Sequence, residues 1–218
     1  MNLTRVKLVT IGEDCSGIGT FGHAMVDASR ECGGHCIKMR ASEKEPALLN
    51  VLRASEYNEV HADMLRTPRN VLPAATTSYG FGSPCQPESR SGKQRRGHDP
   101  RSRPLKMATQ WLRSDGEDLD NVPLSFVLEN VDGMTTGKTG DARFNAILKA
   151  LRKNFVVKWE KVNARDYVPQ NRLRVYLVGI RRDLCHADDF VFPDPPAQPL
   201  PQLRDVLTPD ATWYSACD

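Results

Sequence analysis

A doubly wound α/β sheet is the fold this sequence predicts, and three observations carry that reading. Short apolar runs alternate with stretches whose apolar residues recur at helical spacing, the pattern of strands joined by crossover helices. Polar residues suited to chemistry (Glu13, Glu43, Asp63, Cys85 and Glu129) each stand at the carboxyl end of a predicted strand, where open α/β sheets bind ligands. The last two apolar runs, Phe155–Val162 and Arg174–Ile180, are joined by a long loop that suits a hairpin. The sheet is therefore expected to be mostly parallel with an antiparallel C-terminal strand.

Val6–Ile11 reads as a buried first strand, followed by the turn Gly17-Ile18-Gly19. Phe21, Ala24, Met25, Ala28 and Cys32 then mark a helix that Gly33-Gly34 stops. Cys36–Ala41 is the second strand, and a helix over Glu45–Arg53 follows with Pro46 in its first turn, where the missing N–H costs nothing. Glu59–Ala62 is a short third strand ending at Asp63, and Thr77–Phe81 a fourth leading to Cys85. A helix over Leu105–Arg113 precedes the strand Leu124–Leu128, which ends at Glu129-Asn130. Phe144, Ile147, Leu148 and Leu151 mark one more amphipathic helix. After Phe192 the prolines 193, 195, 196, 199 and 201 change the character of the chain. Residues 1–192 are expected to form one catalytic domain and 193–218 an extended, weakly structured tail.

Composition bounds the function less than distribution does. The 218 residues suit a single domain, and a formal charge of +3 says little about partners. Basic residues concentrate at Arg90, Lys93, Arg95, Arg96, Arg101 and Arg103 with one acid, Asp99, among them; acids gather at Asp115, Glu117, Asp118 and Asp120, a solvated loop. No apolar run approaches the roughly twenty residues needed to span a bilayer, and Met1–Arg5 lacks a signal-peptide core. A soluble, intracellular protein is expected. Its 6 cysteines show no paired framework, and Cys32 with Cys36 lacks a second pair at zinc-finger spacing, so reduced thiols and no metal are expected.

Each candidate site residue has a specific and an ordinary reading. Gly17 and Gly19 permit a tight turn and close approach to a nucleotide-like ligand, or simply join strand to helix; His23 after Gly22 leaves no third glycine at dinucleotide spacing. Glu43 is placed to accept from ribose hydroxyls, or to sit as an acid at a helix N-terminus. Asp63 could read an adenine amino group or cap the next turn. Cys85 stands between Pro84 and Gln86, ahead of a basic loop whose field favours a thiolate nucleophile. Glu129 lies at the mouth of a buried strand, where desolvation raises a carboxyl pKa and suits it to donate a proton; the alternative is a capping acid. Arg172 and Arg174 stand two apart at a strand start, so they share a face and could grip a carbonyl oxygen or phosphate, or be solvated.

Taken in order, these stretches resemble the DNA cytosine-5 methyltransferase family. Glu13–Phe21 is similar to its first donor-binding motif and Gly82–Gln86 to its nucleophile motif. Ser89, Gly92-Lys93 and Gly97–Arg101 resemble its catalytic loop, Phe126–Val131 its Glu-Asn-Val motif, and Asp166–Arg174 with Val178–Arg181 its Gln-x-Arg-x-Arg region. The resemblance implies a Rossmann-like sheet that binds S-adenosyl-L-methionine and methylates C5 of cytosine in DNA through a covalent Cys85 adduct at C6. In that reading Cys85, Glu129, Arg172 and Arg174 are catalytic. Ser16, Gly17, Ile18, Gly19, Thr20 and Phe21 hold the amino-acid end of the donor, Glu43 its ribose and Asp63 its adenine, while Pro84 lines the pocket between donor and base. Arg90, Lys93, Arg95, Arg96 and Arg101 would meet nucleic acid. Cys15 and Lys44 replace aromatic residues usual in the family, and Glu88 another. No match to the target-recognition region or to the final donor-side motif follows Leu207, so a second protein supplying recognition is one expectation. A tRNA cytosine-5 methyltransferase, a non-catalytic remnant and a split-enzyme half that binds nucleic acid or a partner chain are the alternatives; absence of the tRNA branch's Cys-Phe-Thr element favours DNA. The resemblance places the protein in the nucleus of a eukaryote, or in the cytoplasm if it is bacterial or phage-encoded.

Overall fold

The computed structural model describes residues 8–67, 76–85, 99–113, 119–184 and 186–197. The elements of the first half are β1 (Leu8–Asp14), α1 (Thr20–Glu31), β2 (His35–Ser42), α2 (Pro46–Arg53) and β3 (Glu59–His61). Those of the second are β4 (Ser78–Gly82), α3 (Arg103–Trp111), β5 (Ser125–Val131), α4 (Gly137–Leu151), β6 (Phe155–Asn163) and β7 (Leu173–Arg181). The strands form one 7-stranded sheet in the order β3-β2-β1-β4-β5-β7-β6. β7 is antiparallel to both its neighbours, β5 and β6, and the other pairings are parallel. The fold class and the single antiparallel strand agree with the sequence-based expectation. From β1 the chain winds outward to β3, then returns to lay β4 on the other side of β1. That reversal opens the crevice in which such sheets bind ligands.

One boundary differs with consequence. β1 continues three residues past the predicted Ile11, so Glu13 and Asp14 lie within a strand and are 3% and 0% exposed rather than standing at a mouth. Single 3-10 turns follow β3 and β6 and precede α3. An Asp or Asn caps each: Asp63 accepts from the Leu65 N–H, Asn163 from Arg165 and Asp99 from Arg101. α2 starts with Pro46, as expected. Of the tail, residues 198–218 lie outside the described residues, as does most of the acidic loop. No helix among the described residues is long and apolar enough to cross a membrane.

The larger core unites α3 and α4 with β4, β5, β6 and β7 through Tyr79, Phe81, Leu105, Trp111, Phe126, Leu128, Leu148, Leu151, Phe155 and Leu177. Phe126 meets Phe155 edge to face at 4.9 Å between ring centroids. A smaller cluster of Ala41, Leu52 and Tyr57 lies at the β2–α2 end. Between them sits a buried ion pair that periodicity does not reveal. Nη2 of Arg40 donates to both Asp14 oxygens at 2.6 Å, while Ser42 Oγ donates at 2.5 Å and the Tyr79 hydroxyl at 2.6 Å. Breaking a buried pair leaves a charge without compensation and costs roughly 3–5 kcal/mol, whereas an apolar pair of similar volume is often neutral. Asp14→Ala is therefore expected to lower urea-unfolding stability by about that amount, and Asp14→Leu with Arg40→Met to recover most of it. A single-variant loss below about 1 kcal/mol would show that the pair is not holding the two strands.

Candidate active site

The loop after β1 takes a left-handed backbone three times within five residues, at Cys15 (φ 51), Gly17 (φ 58) and Gly19 (φ 82). Glycine reaches this region freely, and the cysteine does so only because the surroundings hold it there. The Ser16 N–H donates to the Ser42 carbonyl at 3.0 Å, and its hydroxyl lies 3.1 Å from the carbonyls of both Ser42 and Glu13. Glu43 Oε2 accepts the Gly17 N–H at 2.9 Å, and its Oε1 accepts those of Lys44 and Glu45 at 2.7 and 3.0 Å. Glu43 thus closes the turn ahead of α2, outside the helix itself, and also clamps the β1 loop. Asp63 caps its own turn. Ile18 and Thr20 are exposed at the loop tip, and Phe21 packs inward. A Cβ added at Gly80 of β4 would lie 2.2 Å from the Phe21 ring, so only glycine admits it.

Charge at this end is negative and graded. Cys15 lies 3.8 Å from the Met64 sulfur, and its thiol pKa is pushed far up, by burial first and then by Asp14, Glu43 and Asp63. Of these three, Asp14 is wholly buried against Arg40, Ser42 and Tyr79, which leaves Glu43 and Asp63, past the ends of β2 and β3, at the site. The set suits a ligand with hydroxyl, amino and cationic groups, which is the chemistry of S-adenosylmethionine. Glu13, on the opposite face from Asp14, accepts from the Gly22 N–H at 3.1 Å and from the Tyr57 hydroxyl. Burial pushes its pKa up to about 8, opposed by the Gly22 hydrogen bond, with Asp14 adding to the rise and Lys38 resisting it.

The second cluster lies at the ends of β4 and β5. Gly82 is in register with Glu129, and the Ser83 N–H donates to the Glu129 carbonyl at 3.2 Å. The Asn130 amide donates to Ser83 Oγ and takes the Val131 N–H on its oxygen at 2.7 Å. This fixes the turn that carries half-buried Pro84 and Cys85, the latter a free thiol. Arg174 Nε lies 2.8 Å from Glu129 Oε1, and Arg172 Nη2 lies 3.9 Å from the same oxygen. Burial raises the Glu129 pKa, against the pull of Arg174 and Arg172. Arg174 is thus a close, largely buried partner of the carboxyl, whereas Arg172 reaches it from an exposed position. Their carboxylate partner follows from the β5–β7 register, which places Val131 opposite Arg174 and which a strand-by-strand reading does not supply. Arg101 grips the buried carboxyl of Asp99 with Nε and Nη2 at 2.9 and 2.6 Å. The structure brings together Cys85, Glu129, Arg172 and Arg174 at one end, and Ser16–Phe21, Glu43 and Asp63 at the other. Arg90, Lys93, Arg95 and Arg96 lie outside the described residues.

A family model described as C-5 cytosine-specific DNA methylase matches residues 9–216. The chain belongs to this family. It is 28% identical over 214 residues to the Neisseria lactamica Type II methyltransferase M.NlaIV, covering 94% of this chain and 47% of that protein. It is 30% identical over 185 residues to M.HpaII of Haemophilus parainfluenzae, covering 83% and 48%. The chain spans about half the length of these relatives. Among solved structures, a DNA modification methyltransferase encoded within an E. coli prophage shares the fold with a TM-score of 0.66 at 18% identity, over 93% of this chain and 56% of that one. The S. pombe Dnmt2 methyltransferase does so with a TM-score of 0.59 at 18% identity, over 81% and 50%.

The family's first motif here contains Glu13, whose protonation gives a test. It ionises near 4.5 in an unfolded chain and near 8 when folded, so the folded state binds the extra proton between those values. Its contribution to stability is greatest below about pH 4.5 and falls as pH rises toward 8. Thermal midpoints of Glu13→Gln and the wild type, measured from pH 5 to 8, are expected to diverge in favour of the variant. A constant difference would mean that Glu13 ionises normally.

Proposed function

We propose that this chain is the catalytic part of a DNA (cytosine-5-)-methyltransferase, which transfers a methyl group from S-adenosyl-L-methionine to C5 of cytosine. The observation that carries the reading is the placement of Cys85 three residues past Gly82, the register partner of Glu129, with two arginines on the Glu129 carboxyl. A cytosine must leave the helical stack before its ring carbons can be reached. The Cys85 thiolate then adds to C6, and Glu129 gives its proton to N3, so the electron pair displaced from the C5–C6 bond does not leave the ring charged. Burial, which raises its pKa, favours the protonated carboxyl against the pull of Arg174 and Arg172. Arg174 and Arg172 keep the carboxyl aimed and can hold the base carbonyl. Bound S-adenosylmethionine supplies an electrophilic methyl group to C5. When the C5 proton departs to solvent, the C5–C6 double bond re-forms, the Cys85–C6 bond breaks and N3 returns its proton to Glu129.

The half-buried Glu43 and Asp63 near Cys15 support a donor site held by these two residues, Ser16–Phe21 and Pro84. Residues 1–192 act as the catalytic domain in this reading, with 193–218 as a tail. The basic residues Arg90, Lys93, Arg95, Arg96 and Arg101 contact nucleic-acid phosphates. A second protein that supplies target recognition belongs to the same reading. A DNA substrate places the activity inside the cell, in the cytoplasm for a bacterial or phage protein.

Incubation with methyl-labelled donor and either duplex DNA or tRNA tests the reading. Label at cytosine C5 of DNA is expected, with a loss of at least about a thousandfold in Cys85→Ser, the scale on which removing an activated nucleophile acts. Label in tRNA alone would transfer the assignment to RNA. A 5-fluorocytosine duplex should trap a covalent adduct at Cys85, since fluorine cannot leave as a proton. Donor binding without that adduct would overturn the covalent route.

A further inference from the structure

Glu129 has unlike neighbours on its two sides. On β4 the neighbour is Gly82, where an added Cβ would lie 3.9 Å from Glu129 Oε2. On β7 it is Tyr176, directly opposite across an antiparallel pair. Residues so opposed project from the same face with Cβ atoms about 4.5–5.5 Å apart. The Tyr176 side chain therefore stands beside the Glu129 stem, and it is half-buried there. The arginines approach Oε1, and Oε2 is left facing Gly82, which has no side chain. Among the described residues the charged and titratable groups around the carboxyl are Arg172, Arg174, Tyr176 and, after β4, Cys85. Exposed Glu160 of β6 lies beyond, opposite Tyr176.

Two guanidinium groups favour the ionised carboxyl, and a side chain that keeps water from it favours the neutral one. Gly82 offers no atoms for that purpose. We infer that Tyr176 is a positioning residue for Glu129, its ring shielding the carboxyl from water so that the proton stays on until the base arrives. This rests on Glu129 being the proton donor in the proposed reaction. The Tyr176 phenol has its own pKa raised by burial and then by Glu129, consistent with close approach of the two.

The test separates shielding from catalysis. Glutamate side-chain carboxyls are labelled with carbon-13 and titrated by NMR, and the Glu129 signal is identified by its loss in Glu129→Gln. In the wild type the midpoint should lie above the ordinary glutamate range. Tyr176→Phe keeps the ring and should leave it in place. Tyr176→Thr, which keeps a strand-favouring residue but removes the ring, should lower it by about one pH unit. The alkaline fall of kcat/KM for DNA methylation should move down by the same amount. An unchanged midpoint in folded Tyr176→Thr, an equal fall in Tyr176→Phe, or an ordinary midpoint in the wild type would each overturn the inference. The titration needs no turnover. A lowered midpoint in a protein without methylation would uphold the shielding and reject the reaction, whereas methylation with an unchanged midpoint would do the reverse.

Discussion

Because β7 runs antiparallel to β5, the start of one strand lies beside the end of the other, and Arg172 and Arg174 arrive at Glu129 from the opposite chain direction. A parallel β7 would present its amino end at the far edge of the sheet, leaving the carboxyl of Glu129 alone in a half-buried site. The reversed strand supplies in one step the cations that orient the carboxyl and the aromatic side chain beside it. Burial opposes ionisation while the arginines favour it, and a group balanced between the two can release a proton and take it back.

The other end of the crevice uses carboxylates in a different way. Glu13 and Asp14 are consecutive, yet the strand turns them to opposite faces of the sheet. Asp14 is paired with Arg40 and accepts from Ser42 and Tyr79, whereas Glu13 faces Tyr57 and the first turn of α1, where burial favours the neutral acid. Past the ends of β2 and β3, half-buried Glu43 and Asp63 add two carboxyl groups at the same edge of the sheet.

Much of this was legible in the sequence. The seven strands, their alternation with helices and the antiparallel ending follow from apolar periodicity and from the missing helix between the last two runs. The grouping of Glu43, Asp63, Cys85 and Glu129 follows from their place at strand ends. The Asp14–Arg40 pair was not legible, because a charged residue inside a strand reads as solvent-facing unless its partner is known, and the partner lies on another strand. The Glu129–arginine contact was hidden for the same reason. Side-chain partners across a sheet depend on register, and register is set by the whole hairpin rather than by either strand. The contacts of Glu43 were hidden too: its carboxylate has enough lone pairs to hold the Gly17, Lys44 and Glu45 N–H groups together, and the first of these lies on another loop.

The contact between Phe21 and Gly80 has a mechanical consequence. Phe21 belongs to the first turn of the helix that closes the β1 loop, and Gly80 to the strand that delivers Cys85. With no side chain between ring and backbone, the two segments behave as one stiff bracket. A displacement of the loop by an arriving ligand would be passed directly to the strand bearing the thiol. The distance between the two reacting partners would then be set inside the sheet, before either of them binds.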